Sequence, residues 1–172
     1  MKVTTETPVF ELKPLSKEGI ETALGKAEHY RLLNHPQLAE SICLDILEVD
    51  KGHQKATVVL LLALTDQFGH SSSHTAKRAL ELANSLKDEY SKIYYTGIVH
   101  ERQGAAALAS TNPGTDFDAY EWYREAMQFF EKANAMNKGE NDPILRWNTC
   151  ARIIMDHHLK ERPAEGYHPI LE

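Results

Sequence analysis

Two groups of histidines have spacings that metal ligands can have. His70 and His74 lie four residues apart, and Asp66 lies four residues before His70. Residues four apart share one face of a helix, so these three side chains would form a row that could bind zinc. Gly69 and the serines at 71–73 interrupt the row, because glycine and serine favour loops over helix interiors. We therefore expect a solvated loop here and no metal.

The second group is Asp156-His157-His158, near the end of a helical segment. Adjacent side chains on a helix point ~100° apart, so only one of the two histidines could join a site with a given neighbour. Cationic histidines also stabilise a helix C-terminus, which is the role that we expect for them. His100-Glu101 starts a zinc-protease motif, but the second histidine of that motif is absent.

Other catalytic patterns are missing as well. No serine lies in a glycine-flanked elbow of the hydrolase type. Gly97 and Gly104 lie within one helical segment, whereas a phosphate cradle needs a strand before a glycine-rich turn. Glu121 and Glu125 fall on the polar side of an amphipathic helix, which indicates a solvated surface. These patterns predict a protein that is not an enzyme and that holds no cofactor.

Composition narrows the class of protein further. A chain of 172 residues with 42% hydrophobic and 26% charged residues is typical of one globular domain. The net charge of -6, with both signs interspersed, disfavours nucleic acid as a partner, because phosphates require a basic face. The longest apolar run, 58–64, is too short to cross a membrane, and the first residues lack the apolar core of a signal peptide. Cys43 and Cys150 both fall in helical apolar patterns, so we expect buried thiols in a reduced cytoplasmic protein.

Apolar periodicity predicts an all-α fold of seven helices with little strand signal. Residues 1–15 are predicted to form an extended arm, because Pro8 and Pro14 restrict the residues before them, and residues 161–172 an irregular tail. A single helical domain at 16–160 lies between them. The approximate helix bounds are 17–33, 36–49, 54–68, 74–87, 90–109, 118–137 and 143–159.

Three local features indicate how these helices are arranged. The third helix is apolar nearly all round, which is typical of a central, buried helix. The fifth contains Gly97 and Gly104, which cost stability inside a helix, so we expect a neighbouring helix to approach closely there. Asp118 with Glu121 three residues later has the spacing of a capping box and predicts the start of the sixth helix.

One apolar pattern recurs along the chain. A small residue is followed four positions later by a larger apolar residue and three positions after that by another small or apolar one. It occurs as Ala39-Cys43-Ile46, Ala76-Leu80-Ala83 and Ala126-Phe130-Ala133, with turns at Lys51, Asp88 and Lys138.

With the helices that precede them, these segments resemble tetratricopeptide repeats, which are two-helix units. In the first helix of each unit, the matching positions are Ala23, Ala27 and Tyr30 in the first unit, Leu60, Leu61 and Leu64 in the second, and Ile93, Gly97 and His100 in the third. The last helix would cap the stack with Ile144, Trp147 and Ala151. The resemblance implies antiparallel helix pairs stacked into a solenoid. Helical periodicity alone is also compatible with an unrelated helical bundle.

In that family the first helix of each pair lines a concave groove that holds a peptide or a helix of a partner. The resemblance therefore implies a set of groove residues in this chain: Glu21, Leu24, Glu28, Arg31, Lys55, Val58, Leu62, Thr65, Tyr94, Ile98, Glu101, Leu145, Thr149 and Arg152. This floor has an apolar centre and charged rims, which suits an apolar peptide in an extended or helical form. It lacks the converging cations of the family's clamp for a C-terminal carboxylate.

The functional hypothesis is a non-catalytic protein–protein interaction module, an adaptor or a chaperone-like protein. The chain's own termini could instead fill the groove, through Phe10 and Leu12 or through Tyr167, Ile170 and Leu171. The bare ends of a short stack are also compatible with a homodimer. The alternative from another class is a metal-dependent or catalytic helical-bundle protein that uses His70/His74 or His157/His158.

Overall fold

The computed structural model describes residues 7, 9–69 and 73–163, and these residues form an all-α fold without a strand. A short 3-10 helix at Lys17–Gly19 precedes seven α-helices in this part of the chain. They are α1 (Ile20–Leu32), α2 (Pro36–Val49), α3 (Gln54–Thr65), α4 (Ser73–Ser85), α5 (Glu89–Ala109), α6 (Thr115–Met136) and α7 (Asp142–Asp156).

Each helix packs against the next one along the chain, as the short connections between antiparallel neighbours require. In addition, α1 packs against α3, and α3 packs against α5. Helices α1, α3 and α5 therefore run in the same direction and lie side by side. This arrangement is the antiparallel, repeat-like stack of helix pairs that the sequence predicts.

The observed helix bounds follow the sequence prediction to within three residues; α3 and α7 end three residues before their predicted ends at 68 and 159, and the sixth helix begins three residues earlier than predicted. The predicted capping box at Asp118 and Glu121 is wrong, because α6 begins at Thr115. Gly114 precedes it with a φ of 84°, a left-handed conformation that glycine adopts without steric cost, and this turn starts the helix earlier. Asp118 lies inside α6 and pairs there with Arg162.

The core consists of two hydrophobic clusters. The first is built mainly from α1 to α4 and includes fully buried Ile46 and Leu61. The second is built from α5 to α7 and includes fully buried Phe130. Leu62 and Tyr95 pack against both clusters, so these two side chains join the halves of the stack.

The prediction of a close helix approach at the fifth helix's glycines is confirmed. A Cβ atom added to Gly97 would lie 2.8 Å from the ring of Phe130 and 3.1 Å from the Cβ of Phe129. A Cβ atom added to Gly104 would lie 3.1 Å from the ring of Tyr123. Because α5 lacks side chains at these two positions, α6 can lie directly against its backbone.

The prediction of a buried third helix is confirmed too, since α3 lies between its neighbours with residues buried on most of its circumference. His53 caps its first turn, where the ring Nδ1 accepts a hydrogen bond from the Ala56 N–H at 3.1 Å. No helix of the described residues is both long and apolar enough to cross a membrane.

The two thiols lie in the two clusters, where burial raises the pKa of Cys43 and of Cys150 to about 12. Thiolate is the reactive form of cysteine, so neither residue is an effective nucleophile near neutral pH.

Residues 9–16 form neither helix nor strand, and the first apolar side chain of this arm that packs on the core is Leu15. Phe10 and Leu12 are 78% and 82% exposed.

Candidate functional site

The face formed by α1, α3 and α5 is the candidate site. Lys55, Val58, Leu62 and Asp66 follow one another at helical spacing along one side of α3, including its C-terminal cap, and two cavities open at the two ends of this row. The cavities lie over α3, between α1 and α5.

The first cavity has a volume of about 460 Å³ and lies at the N-terminal end of α3; we call it the Lys55 cavity. Its apolar lining comes from Val58, Val59, Leu86 and Tyr95, and its charged rim from Glu28, Lys55, Lys87 and Asp88. The rim carries two positive and two negative side chains, so its charges balance. We therefore expect a ligand to gain most of its binding free energy from the apolar floor.

The second cavity has a volume of about 950 Å³ and lies at the C-terminal end of α3; we call it the Arg102 cavity. One wall is the end of α5, where Ala105, Ala106 and Ala109 present only small side chains. Small side chains let the backbone of another element approach closely. The opposite wall includes Leu32 of α1.

Three charged residues form the floor of the Arg102 cavity. The Nε of Arg31 donates to Asp66 Oδ2 at 2.8 Å, and a terminal nitrogen of Arg102 lies 4.0 Å from Asp66 Oδ1. Within the described residues, the Nε of Arg102 is buried and donates to no acceptor. One carboxylate thus faces two guanidinium groups, and Arg102 is the less fully paired of the two.

A second polar contact joins α5 to α7. Arg146 donates from Nε to the Tyr94 hydroxyl at 3.1 Å and from a terminal nitrogen to Glu101 at 2.7 Å. Burial lowers the pKa of Arg146, but Glu101 and Tyr94 outweigh that effect, so the pKa is raised and the side chain stays cationic. Tyr94 and Glu101 therefore hold the last helix in place.

The structure distributes the fourteen sequence-predicted groove residues over three environments. Those that line a cavity are Glu28, Lys55 and Val58 at the Lys55 cavity, and Arg31 and Thr65 at the Arg102 cavity. Those in the core or in the contact between α5 and α7 are Leu24, Leu62, Tyr94, Ile98 and Glu101. Those outside both cavities are Glu21, Leu145, Thr149 and Arg152, all exposed.

Sequence reasoning missed Asp66 and Arg102 as groove residues. Arg31, Asp66 and Arg102 are each about one repeat length apart in sequence, so equivalent positions of consecutive first helices carry the three charges. A search for charged residues that recur at the repeat spacing would have found them.

The described residues of the arm, 7 and 9–16, do not fill either cavity, since Phe10 and Leu12 are exposed to solvent and line neither of them. The other segment considered for this role, with Tyr167, Ile170 and Leu171, lies outside the described residues.

The histidines of the alternative hypothesis are placed as follows. His74, His157 and His158 are exposed, and His70 lies outside the described residues. Among the residues that the structure describes, no three side chains of His, Cys, Asp or Glu are grouped closely enough to hold a metal ion.

A different histidine is buried, between α5 and α6. The imidazole of His100 lies stacked on both Trp122 and Phe129, at 5.3 Å from each ring centroid. Burial lowers the pKa of His100, and the Glu125 carboxylate, 3.5 Å from its Nδ1, opposes this effect only partly, together with Gln103. The folded protein therefore favours the neutral ring.

This lowered pKa predicts a pH-dependent stability. Below about pH 6.5 the unfolded chain takes up a proton at this histidine more readily than the folded chain does. The free energy of unfolding should fall as the pH drops through 6.5 and level off once the folded form is protonated too. Urea titrations measure this loss of unfolding free energy between pH 7 and pH 5. We expect the loss to be smaller in His100→Gln than in the wild type. His157→Gln, at an exposed position, should show the same loss as the wild type. Equal pH slopes for wild type and His100→Gln would contradict the assignment.

In comparisons of this chain with family models, with curated proteins and with solved structures, nothing matches. The site is therefore described by its own geometry: two cavities along α3, an apolar floor at one end, and an arginine pair with a small-residue wall at the other.

Proposed function

We propose that this protein is a non-catalytic protein–protein interaction module of the tetratricopeptide-like type, and that a peptide or a helix of a partner lies along α3 between α1 and α5. The observation that carries this proposal is the pair of cavities at the two ends of one half-buried row of α3. A protein ligand can occupy both at once, because it presents side chains at several points along its length.

The dimensions fit such a ligand. From Lys55 to Asp66 the helix rises ~16 Å, which is the length of about three helical turns of a bound segment. An apolar side chain of the ligand would contact Val58 and Tyr95, and a helix would pack closely on Ala106 of α5. The mode is that of an amphipathic helix or a short peptide in a groove.

A reducing cytoplasm is the compartment that we propose. It is supported by the two buried thiols, which are not joined to each other. The acidic composition separately disfavours nucleic acid as the partner.

The proposal is tested by selecting ligands from a random library, a method that does not require the partner to be identified first. A displayed library of random 16-residue peptides is panned on the immobilised protein, and the selected peptides are measured by fluorescence anisotropy. We expect Val58→Glu and Ala106→Glu each to weaken these peptides ~10-fold or more, because each places a charge in the groove, a loss of ~1.4 kcal/mol.

Leu44→Glu is the matched control, since Leu44 is an exposed leucine on α2, away from the groove. It should leave the affinities unchanged. Circular dichroism of all three variants must show the wild-type helix content. Selected peptides that bind Val58→Glu and Ala106→Glu as tightly as the wild type would contradict the proposed groove.

A further inference from the structure

The charges that line the Arg102 cavity do not balance. Its described lining residues include three charged side chains, Arg31, Asp66 and Arg102, so one positive charge is left over. At the rim of the Lys55 cavity, by contrast, two positive and two negative side chains cancel. The chain as a whole has a net charge of -6, so the positive excess is a local feature of the Arg102 cavity, where it favours an anionic group of a ligand.

The excess charge belongs to Arg102. Arg31 donates from Nε to Asp66 at 2.8 Å, and the two side chains are only 21% and 17% exposed, so this pair is neutral as a unit. A terminal nitrogen of Arg102 lies 4.0 Å from the other oxygen of Asp66, which is beyond hydrogen-bond distance. The buried Nε of Arg102 donates to no acceptor among the described residues. Within this part of the chain, Arg102 is therefore a cation without a hydrogen-bonded counter-ion.

A carboxylate is the anion that fits this site. A guanidinium and a carboxylate match in shape and can form two parallel N–H···O bonds. One carboxylate brings the three charges to neutrality, whereas a phosphate dianion would add a second negative charge close to Asp66. The guanidinium charge is delocalised, so a carboxylate at the terminal nitrogens also compensates the buried Nε.

The size of the cavity indicates where this carboxylate is located in the ligand. The volume of about 950 Å³ is at the upper end for pockets that hold a whole small molecule, so chain on both sides of the carboxylate also fits. The wall of small side chains at Ala105, Ala106 and Ala109 lets a helix approach closely beside Arg102. A side-chain carboxylate within a helix therefore matches the cavity better than a free C-terminus does.

We propose that the partner segment is an acidic amphipathic helix, and that the carboxylate of one of its Asp or Glu side chains pairs with Arg102. This inference rests on the proposed function, because it assigns the ligand of the same groove. Val58 and Asp66 lie eight residues apart on α3, a rise of ~12 Å. In a helix that runs alongside α3, the acidic residue then lies about seven or eight positions from the apolar residue that contacts Val58.

The proposal is tested first on the ligand. The random 16-residue peptides are displayed through their C-termini and are synthesised for measurement as C-terminal amides, so every carboxylate that they offer is a side chain. We expect the selected sequences to be enriched in Asp or Glu about seven or eight positions from a large apolar residue. Replacing that acidic residue by Asn or Gln should weaken binding to the wild-type protein ~10-fold, because a partly buried charge pair is lost. No acidic preference, or a preference for lysine or arginine at this position, would overturn the proposal.

A double-mutant cycle then assigns the carboxylate to Arg102. Arg102→Gln should weaken the acidic peptide ~10-fold and leave the affinity of its Asn or Gln variant unchanged. Arg152→Gln is the matched control, because it removes the same charge at an exposed position of α7 outside both cavities, and it should leave both affinities unchanged. Equal losses of the two peptides in Arg102→Gln would overturn the assignment.

A second variant covers the case that Arg102→Gln loses helix content by circular dichroism. Arg102→Lys keeps the charge but not the paired nitrogens of the guanidinium, so it should still weaken the acidic peptide more than its Asn or Gln variant. An equal effect of Arg102→Lys on both peptides would count against a carboxylate at this site.

The outcome can be distinguished from that of the groove itself. If Val58→Glu and Ala106→Glu weaken the selected peptides but the cycle shows no coupling, the groove is supported and the pairing with Arg102 is wrong. If the cycle shows coupling but Val58→Glu has no effect, the pairing is supported and a ligand that occupies both cavities is wrong. A selection that yields no binding peptide would contradict both proposals.

Discussion

Gly97→Ala should destabilise the protein by ~2 kcal/mol, although alanine is the better helix former of the two by ~1 kcal/mol. The new Cβ atom would lie 2.8 Å from the ring of Phe130, which is fully buried, and 3.1 Å from the Cβ of Phe129. Neither neighbour can move away easily, so α6 must shift. Thermal unfolding should show a melting temperature lower by ~4–8 °C for a chain of this size.

Gly25→Ala is the matched control for this prediction. Gly25 lies inside α1, and a Cβ atom there meets nothing within 4 Å. The same chemical change should therefore stabilise the protein by ~0.5–1 kcal/mol through helix propensity alone. In the double variant Gly97→Ala, Phe130→Leu, the loss should be smaller than the sum of the two single losses, because the smaller side chain relieves the clash. Stabilisation by Gly97→Ala would mean that α5 and α6 are further apart than these distances indicate.

Leu62→Ala should cost ~2–3 kcal/mol, at the lower end for a leucine because the side chain is half-buried. Leu62 packs against both hydrophobic clusters, so its loss weakens the contact between the two halves of the stack. Both tryptophans, Trp122 and Trp147, lie in the second half. Tryptophan fluorescence therefore follows that half alone, whereas circular dichroism follows all helices.

In urea, the two signals should coincide for the wild type and separate for Leu62→Ala. Leu44→Ala removes an exposed leucine and should change the free energy of unfolding by less than ~0.5 kcal/mol, with coincident signals. If Leu62→Ala behaved as Leu44→Ala does, Leu62 would be a free groove side chain and not a core contact. The result also decides which residues can test ligand binding without unfolding the protein.

On this face of the stack, the residues that stabilise the fold differ from the residues that a partner could contact. Leu62 and Tyr94 belong to the sequence-predicted groove, but Leu62 joins the two clusters and Tyr94 holds Arg146. Val58 and Ala106 line the cavities and do not join the clusters. Substitutions at Val58 and Ala106 are therefore the ones that report on a partner.

Much of the helical architecture follows from local chemistry. Pro36 begins α2, as its position after a turn predicts, because its missing N–H is not needed in a first helical turn. The run of apolar residues in α3 predicts its central place, and Gly97 predicts the approach of α6. Each of these inferences uses residues within a few turns of one another. The start of α6 was the exception, because the left-handed Gly114 competes with a capping pattern that is equally plausible in the sequence.

The sequence by itself determined the helices, their order and the close contact at Gly97, because helical period, turn residues and the size of a side chain act over short range. Only the tertiary structure decided which residues of the inner face stay accessible. Ile98 and Val58 have the same apolar character, yet Ile98 is 2% exposed and Val58 lines a cavity. The difference depends on the distance and angle between helices that are a repeat apart. The same long-range geometry brings Asp66 to Arg31 and Arg102, and no local pattern contains it.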